Sequence, residues 1–338
     1  MANDSSRRLG PTKIAAALSS VIAAVLLTGM KIVVGATTGS MGILAEAAHS
    51  GLDMVAAVIT LLAVRWADRP ADETHTYGHG KVENLSALVE TLLLLATCVW
   101  IITESVERLW FKRVHVDASA WAFAVMIVSV VIDWSRSRML YRAAREHNSQ
   151  ALEADALHFQ TDIWSSLVVL LGLGCVLASD IWPGLGVLMH ADALAALGVS
   201  AIVVLVSFKL GRRTVQALID AHLPEEEKWI QTMLAEFVPA IHGFHRLRTR
   251  KSGPIRFIDF HIFVDSRMTV AKSHRLAHEC AERIRQHFTD ASVMVHVEPC
   301  AGACGERCRA GCLLAEDQRQ ALRQATGASG GDEDSGHA

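Results

Sequence analysis

Charged side chains are scarce in this chain: Asp, Glu, Lys and Arg make up 20% of 338 residues, against 51% hydrophobic residues. That balance excludes an ordinary water-soluble globule of this size and implies insertion in a bilayer. A basic excess is also missing. The formal net charge of -3 leaves no electrostatic footprint for nucleic acid and excludes that partner class. No His-Glu-x-x-His helix occurs, because His278-Glu279 is followed by Cys280, Ala281 and Glu282. Without that arrangement of ligands and base an intramembrane zinc protease is excluded, and the chain is read as no enzyme. The first apolar run lacks a small-residue cleavage site and is too long for a removed leader.

Six apolar runs are present, at 14–37, 42–66, 85–102, 118–134, 157–177 and 193–210, each near the about 20 residues that cross hydrocarbon. Basic residues crowd before the first run (Arg7, Arg8, Lys13), in the second connection (Arg65, Arg69, Lys81) and in the fourth (Arg136, Arg138, Arg142, Arg145). That bias puts these segments and both termini in the cytoplasm. Arg108, Lys112 and Arg113 in the third connection run against it. Beyond Gly211-Arg212-Arg213 the pattern changes to a helix at 225–237, strands at 245–250 and 255–264, a helix at 270–288 and a strand at 292–298. There Phe257, Asp259, His261 and Phe263 alternate with Ile258, Phe260 and Ile262 at period two. The expected fold is therefore membrane α-helical: six transmembrane helices followed by a cytoplasmic, ferredoxin-like α+β domain of order αββαβ. The expected divisions are a cytoplasmic segment at 1–12, the membrane domain at 13–212, the α+β domain at 213–299 and a cysteine-bearing, mostly disordered tail at 300–338.

Two copies of one pattern lie inside the apolar runs: His49-Ser50-Gly51-Leu52-Asp53 and His158-Phe159-Gln160-Thr161-Asp162. Residues four apart share a helix face, so each pattern points an imidazole and a carboxylate the same way. Two such helices facing each other offer two nitrogens and two oxygens, a donor set that suits tetrahedral Zn²⁺ rather than Ca²⁺ or Mg²⁺. The plainer alternative is a pair of structural polar contacts between helices. Unperturbed imidazole titrates near pH ~6.5, so His49 and His158 are the proton-carrier candidates of such a site. Lys31, Glu46, Glu90 and Asp133, also inside spans, are read as structural or near an interface, with no transport role.

The second connection holds Asp72, His75 and His79 with Gly78 and Gly80 between or beside them, either a second metal site with a position left for water or a solvated polar loop. The α+β segment adds His245, His261, His274, His296 and Glu298, of which His296 and Glu298 share a strand face. Cys300, Cys304, Cys308 and Cys312 recur every four residues. They read either as soft-metal thiols in a reducing compartment or, given Gly302, Gly305 and Gly311, as a flexible tail.

Together the six runs, the two His/Asp pairs and the histidine-bearing α+β segment resemble the cation diffusion facilitator family over nearly the whole chain up to Cys300. Arg69-Pro70-Ala71-Asp72 through Tyr77-Gly78-His79-Gly80-Lys81-Val82-Glu83, and His245 through Arg250-Lys251-Ser252-Gly253-Pro254, are similar to its bacterial ferrous-iron and zinc efflux members. The resemblance implies a homodimeric exporter in the bacterial inner membrane that exchanges cytosolic Zn²⁺ for protons by alternating access. It implies that His49, Asp53, His158 and Asp162 form the transport site and that Asp72, His75 and His79 form a loop site. It also implies that His245, His261, His274, His296 and Glu298 form a binuclear cytoplasmic site where Zn²⁺ is a resident, regulatory ion. Lys81 and Asp220 match a salt bridge that ties two protomers near the membrane surface. Two positions depart from those bacterial members: His49 stands where they carry Asp, as in zinc-selective members, and Glu298 replaces an Asp. The cysteine extension lies outside the shared pattern. The rival reading is a membrane-anchored zinc sensor.

Overall fold

A computed structural model describes residues 13–39, 41–110, 120–181, 191–300, 302 and 310–326. The chain divides into two compact units, Met1–Leu218 and Ile219–Ala338.

The first unit contains α1 (Lys13–Thr38), α2 (Met41–Ala67), α3 (Lys81–Trp110), α4 (Ala120–Glu146), α5 (Gln150–Ile181) and α6 (Ala191–Leu218). The shortest has 26 residues and the longest 32, lengths of about 39 to 48 Å at the helical rise and more than the ~30 Å of hydrocarbon. Among the described residues, stretches of three helices (Lys13–Thr38, Glu46–Ala67 and Lys81–Thr103) are apolar and long enough to cross a membrane. Helix α6 continues past Gly211-Arg212-Arg213 to Leu218, so the expected boundary at 212 falls inside it. Arg213 is held there by Glu153 of α5, at 3.2 Å.

Helix α1 packs on α2, α3 on α6 and α4 on α5, with further contacts from α5 to α2, α3 and α6. Alanines line these seams: Ala16 and Ala17 of α1 and Ala143 and Ala144 of α4 meet Ala151 and Ala156 of α5, with Leu140, Leu152 and Phe159 filling the remainder. Small side chains let helix backbones approach closely, which is what drives association where the surroundings are as apolar as the core. Leu26, Val33, Leu62, Leu205 and Phe208 point outward, whereas polar groups turn inward. Lys13 Nζ donates to Asp68 and to Glu83, each at 2.6 Å, Ser149 donates to the other oxygen of Glu83 at 2.5 Å, and Asn84 donates to Gln150 at 2.6 Å. Sequence reading did not anticipate this knot, which joins α1, α2, α3 and α5. Its signal was a lysine and a glutamate sitting at the ends of apolar runs.

The second unit runs α7 (Pro224–Ala235), β1 (Gly243–Ser252), β2 (Ile255–Asp265), α8 (Val270–His287), β3 (Ala291–Cys300) and α9 (Glu316–Thr326). Pro224 opens α7 and Glu225, Glu226 and Glu227 fill its first turn, the residues a helix N-terminus favours. The sheet order is β1-β2-β3, antiparallel between β1 and β2 and parallel between β2 and β3. Ile258, Phe260, Ile262 and Val264 form one face of β2, buried with Ile230 and Leu234 of α7 and Ala277, Cys280 and Ile284 of α8. The opposite face is left for Asp259, His261 and Phe263 by the period of two.

The expectation of a mostly disordered tail from 300 needs correction at 310–326. Gly311 accepts from the Phe244 amide at 2.9 Å, Leu313 donates to His242 at 3.0 Å, and Gly243 bridges Cys312 on the free edge of β1, before the chain enters α9. A Cβ on Gly311 would lie 1.8 Å from the Phe244 oxygen, so the glycine that suggested flexibility is what permits the close approach.

Candidate metal centres

Helices α2 and α5 bring the two His/Asp pairs together. His158 Nε2 lies 2.9 Å from Asp53 Oδ1 and 3.6 Å from Asp162 Oδ2. His49 Nε2 lies 3.9 Å from both Asp53 Oδ2 and Asp162 Oδ1. Ligands at about 2.0–2.1 Å from a tetrahedral zinc stand roughly 3.3 Å apart, and the observed separations bracket that value. Asp53, His158 and Asp162 form the tighter group, each with one ligand atom within 4.8 Å of the others; His49 stands slightly back. Two carboxylates and two neutral imidazoles balance a dication.

The walls of this centre are themselves polar. Lys31 of α1 donates to Ser50 Oγ at 2.6 Å and to Glu46 at 3.0 Å, and Thr28 donates to the Ser50 carbonyl at 3.1 Å, so α1 grips α2 beside His49. On the α4 side, Arg136 donates to Ser20 at 3.0 Å and to Asp133 at 3.3 Å, and Ser20 donates to Asp155 of α5 at 3.4 Å. The Arg136 guanidinium also lies 3.6 Å above the Phe159 ring. Lys31, Glu46 and Asp133 thus take part in the polar contacts between these helices, together with Arg136, Ser20 and Asp155, which sequence reading did not single out as part of this centre. Arg136 and Asp155 are charges lying just beside apolar runs, but nothing linear pairs Ser20 with Asp155.

The loop between α2 and α3 gathers Asp72, His75 and His79. Asp72 Oδ1 accepts from the His75 amide at 2.6 Å and the Thr74 amide at 2.9 Å, and its other oxygen is 3.3 Å from His79 Nε2. The backbone hydrogen bond from His75, followed by the Thr74 hydroxyl, pulls the Asp72 carboxyl down to about 2. Gly78, at φ +79°, makes the turn that brings His79 back, and the His75 and His79 rings stand 4.4 Å apart. His79 is buried with Nδ1 unpartnered. The donor set fits a zinc ion with a fourth position for water.

In the second unit, strand register aligns three histidines across the sheet: His245 pairs with His261, and His261 pairs with His296. Glu298, two residues along β3, sets one oxygen 3.0 Å from His245 Nε2 and the other 2.6 Å from His261 Nδ1. His296 is more exposed, with Nε2 3.9 Å from Glu298 and its ring 4.7 Å from that of His261. Burial lowers the His245 pKa despite the neighbouring carboxylate. Burial would raise Glu298, but the hydrogen bond from His261 and the field of His245 bring it below its ordinary value. Neutral imidazole beside ionised carboxylate is the state a metal requires, so His245, His261 and Glu298 fit a resident zinc, with His296 at the edge.

The other expected ligands stand elsewhere. His274 lies on α8 and lines a separate pocket with His278, Glu279 and Glu282. Cys300 is paired with Asp265 at the end of β3, whereas Cys312 sits beyond β1, about three strand spacings or ~14 Å across the sheet. The structure therefore does not bring these two thiols together. Cys304 and Cys308, and residues 1–12, lie outside the described residues. Lys81 donates to the Leu218 carbonyl at 3.1 Å, and Asp220 accepts from Arg250 at 3.4 Å.

Residues 17–219 match the family model described as the cation efflux transmembrane domain, and residues 223–300 match the cation efflux protein cytoplasmic domain. The chain belongs to the cation diffusion facilitator family. Among curated relatives, the cation-efflux pump FieF of Pectobacterium atrosepticum is 32% identical over 289 residues, covering 84% of this chain and 92% of the relative. That of Cronobacter sakazakii is 32% identical over 286 residues (85% and 92%). That of Yersinia enterocolitica is 32% identical over 295 residues (87% and 95%). As a member of this family the protein is an integral membrane cation-efflux transporter, with a cytoplasmic domain following the transmembrane one.

Proposed function

We propose that this cation diffusion facilitator exports Zn²⁺ from the cytosol in exchange for protons, by alternating access to the centre formed by His49, Asp53, His158 and Asp162. The observation that carries the reading is the convergence of two acids and two imidazoles between α2 and α5, with each imidazole–carboxylate pair at 2.9 to 3.9 Å. All six helices α1 to α6 cross the bacterial inner membrane and both termini are cytoplasmic, in keeping with the distribution of Lys and Arg.

A metal ion enters only when the imidazoles are neutral and the carboxylates ionised, so loading releases protons and reprotonation loosens the ion. His158 and Asp53 share a hydrogen bond at 2.9 Å, a contact that a proton on the imidazole strengthens and a zinc ion would displace. The nitrogen content of the site favours Zn²⁺ over hard cations.

In the cytoplasmic domain, His245, His261 and Glu298 hold a resident Zn²⁺ with His296 at its margin, and Asp72, His75 and His79 hold a further ion in the loop. A resident ion that prefers the closed homodimer stabilises it by linkage. The protomers are also tied by Lys81 of one to Asp220 of the other. His274 belongs to a different ligand set from that of His245. A zinc sensor would leave the intramembrane centre without a use. Zinc flux in proteoliposomes under a proton gradient tests the proposal: native protein accumulates zinc and releases protons, Asp162→Ala does neither, and zinc movement by native protein that ignores the proton gradient refutes antiport.

A further inference from the structure

Glu90, in the middle of α3, is 1% exposed, and neither of its carboxyl oxygens has a hydrogen-bond partner. It lies almost one turn beyond Ala87, which packs against Ala154 and Leu157 of α5 and Leu210 of α6. The ionisable group that interacts with it from α5 is Asp155. From α6, Arg213 is turned outward onto Glu153, and the buried polar side chains are Ser200, Ser207 and Thr214. From α2, Thr60 is buried. Among the described residues no cation is recorded against Glu90.

Asp155 is buried as well, with a different environment. One of its oxygens accepts from Ser20, which in turn accepts from Arg136, while the other has no partner. It lies three residues, or nearly one turn, before His158 on α5. Glu90, Asp155 and the metal centre therefore form a sequence of ionisable groups running from α3 to α5.

An ionised carboxylate with no cation and no donor is costly in a dry interior, so the closed helices accommodate Glu90 as the neutral acid. A group that makes no hydrogen bond contributes nothing to packing that an apolar side chain would not. What distinguishes it is a proton it can release. We propose that Glu90 is a proton-binding site of the transport cycle, separate from the metal ligands and loaded and unloaded by way of Asp155. When water reaches the α3–α5–α6 junction from one side, the Glu90 O–H bond breaks and its proton passes through the Asp155 carboxylate to water. When access reverses, a proton from water on the other side returns by the same carboxylate and restores the bond. One proton crosses per cycle, in addition to those the metal displaces from its own ligands.

This inference rests on the antiport reading, and one experiment separates their failures. Full-length protein in proteoliposomes, with trapped zinc and pH indicators, is compared with Glu90→Gln and Glu90→Asp. Native protein that moves zinc without protons overturns antiport and this inference with it. If native transport is coupled, Glu90→Gln is expected to bind Zn²⁺ within about twofold of native affinity while the proton-to-zinc ratio falls by about one. Glu90→Asp, which keeps an acid, restores the ratio. A native ratio in Glu90→Gln overturns the proposal and leaves antiport standing. Loss of coupling in both variants, or loss of zinc binding in Glu90→Gln, assigns the residue to packing and overturns it equally.

Discussion

The centre between α2 and α5 and the centre on the sheet are made of the same two side-chain types and solve opposite problems. Between the helices, two acids balance two imidazoles with little water, and the donors belong to two separate rods that α1 and α4 grip through Lys31, Ser20 and Arg136. On the sheet, one acid serves His245 and His261 at the surface, and the donors are fixed to neighbouring strands by the backbone ladder. A site carried by rods can open when the rods shift, whereas a site written into strand register cannot move without breaking the sheet. The first geometry suits cargo and the second suits a resident ion.

The largest expected effect breaks the first centre alone. Asp162→Ala removes one of four donors and the charge balance, and is expected to cut intramembrane zinc affinity by on the order of 100-fold or more and abolish flux, while the cytoplasmic centre still binds. Calorimetry with zinc alongside proteoliposome flux checks both halves, and parallel weakening of the two centres would dissolve the distinction between them.

A milder change sharpens it. His49 already stands furthest from its partners, at 3.9 Å, so His49→Asp is expected to retain transport and shift the Zn²⁺ to Cd²⁺ preference by roughly tenfold, with an altered pH profile. Unchanged selectivity in vesicles counts against a ligand role for His49.

His261→Ala attacks the second centre. It should abolish zinc-dependent association of the protomers, an effect worth about 2.7 kcal/mol when zinc stands at a hundred times its Kd, and leave zinc affinity at the intramembrane centre native. Analytical ultracentrifugation with and without chelator reads it, and zinc-dependent association of native strength in the variant contradicts the assignment.

The pH response is smaller. His245 and Glu298 both sit below their ordinary pKa values when folded, so the folded protein binds fewer protons than the unfolded chain, and stability rises with pH through their range. The His245 contribution is complete above the ordinary value near 6.5 and the Glu298 contribution above 4.5, and each is lost as pH falls through the depressed value. In chelator, the thermal midpoint of the cytoplasmic domain within the full chain should fall on acidification from pH 7, and Glu298→Gln should remove the part of that fall that lies below about pH 4.5. Asp72→Ala is expected to do least. With Asp72 ionised down to about 2, its loss weakens zinc capture by the loop by roughly tenfold and slows flux at low zinc, with the saturated rate unchanged.

The ligand pairs were legible because spacing by four is itself the geometry of a helix face, and His296 with Glu298 because spacing by two is the geometry of a strand face. The two predicted strands of the hairpin match β1 and β2 closely, since the Ser252-Gly253-Pro254 break and the alternation of Phe257 to Phe263 both declare them. Glu90 shows the limit of that legibility. An acid in or beside an apolar run looks the same on paper whether it reaches Arg136 through Ser20, as Asp155 does, or is buried without a hydrogen-bond partner, as Glu90 is. The segment at 310–326 was misjudged because glycine signals freedom locally, whereas at Gly311 it serves a contact with Phe244 about 67 residues away along the chain.

The amino-acid order by itself determined the apolar helices, the αββαβ order and the membership of each His/Asp pair, because those depend on periodicities that one segment carries alone. Only the tertiary structure decided that α2 faces α5, that His245, His261 and His296 fall in one row, that His274 lines a separate pocket, and that Glu90 is buried without a hydrogen-bond partner. Those outcomes depend on which faces pack together and in what register, and side-chain chemistry does not reveal that until the helices and strands have closed on one another.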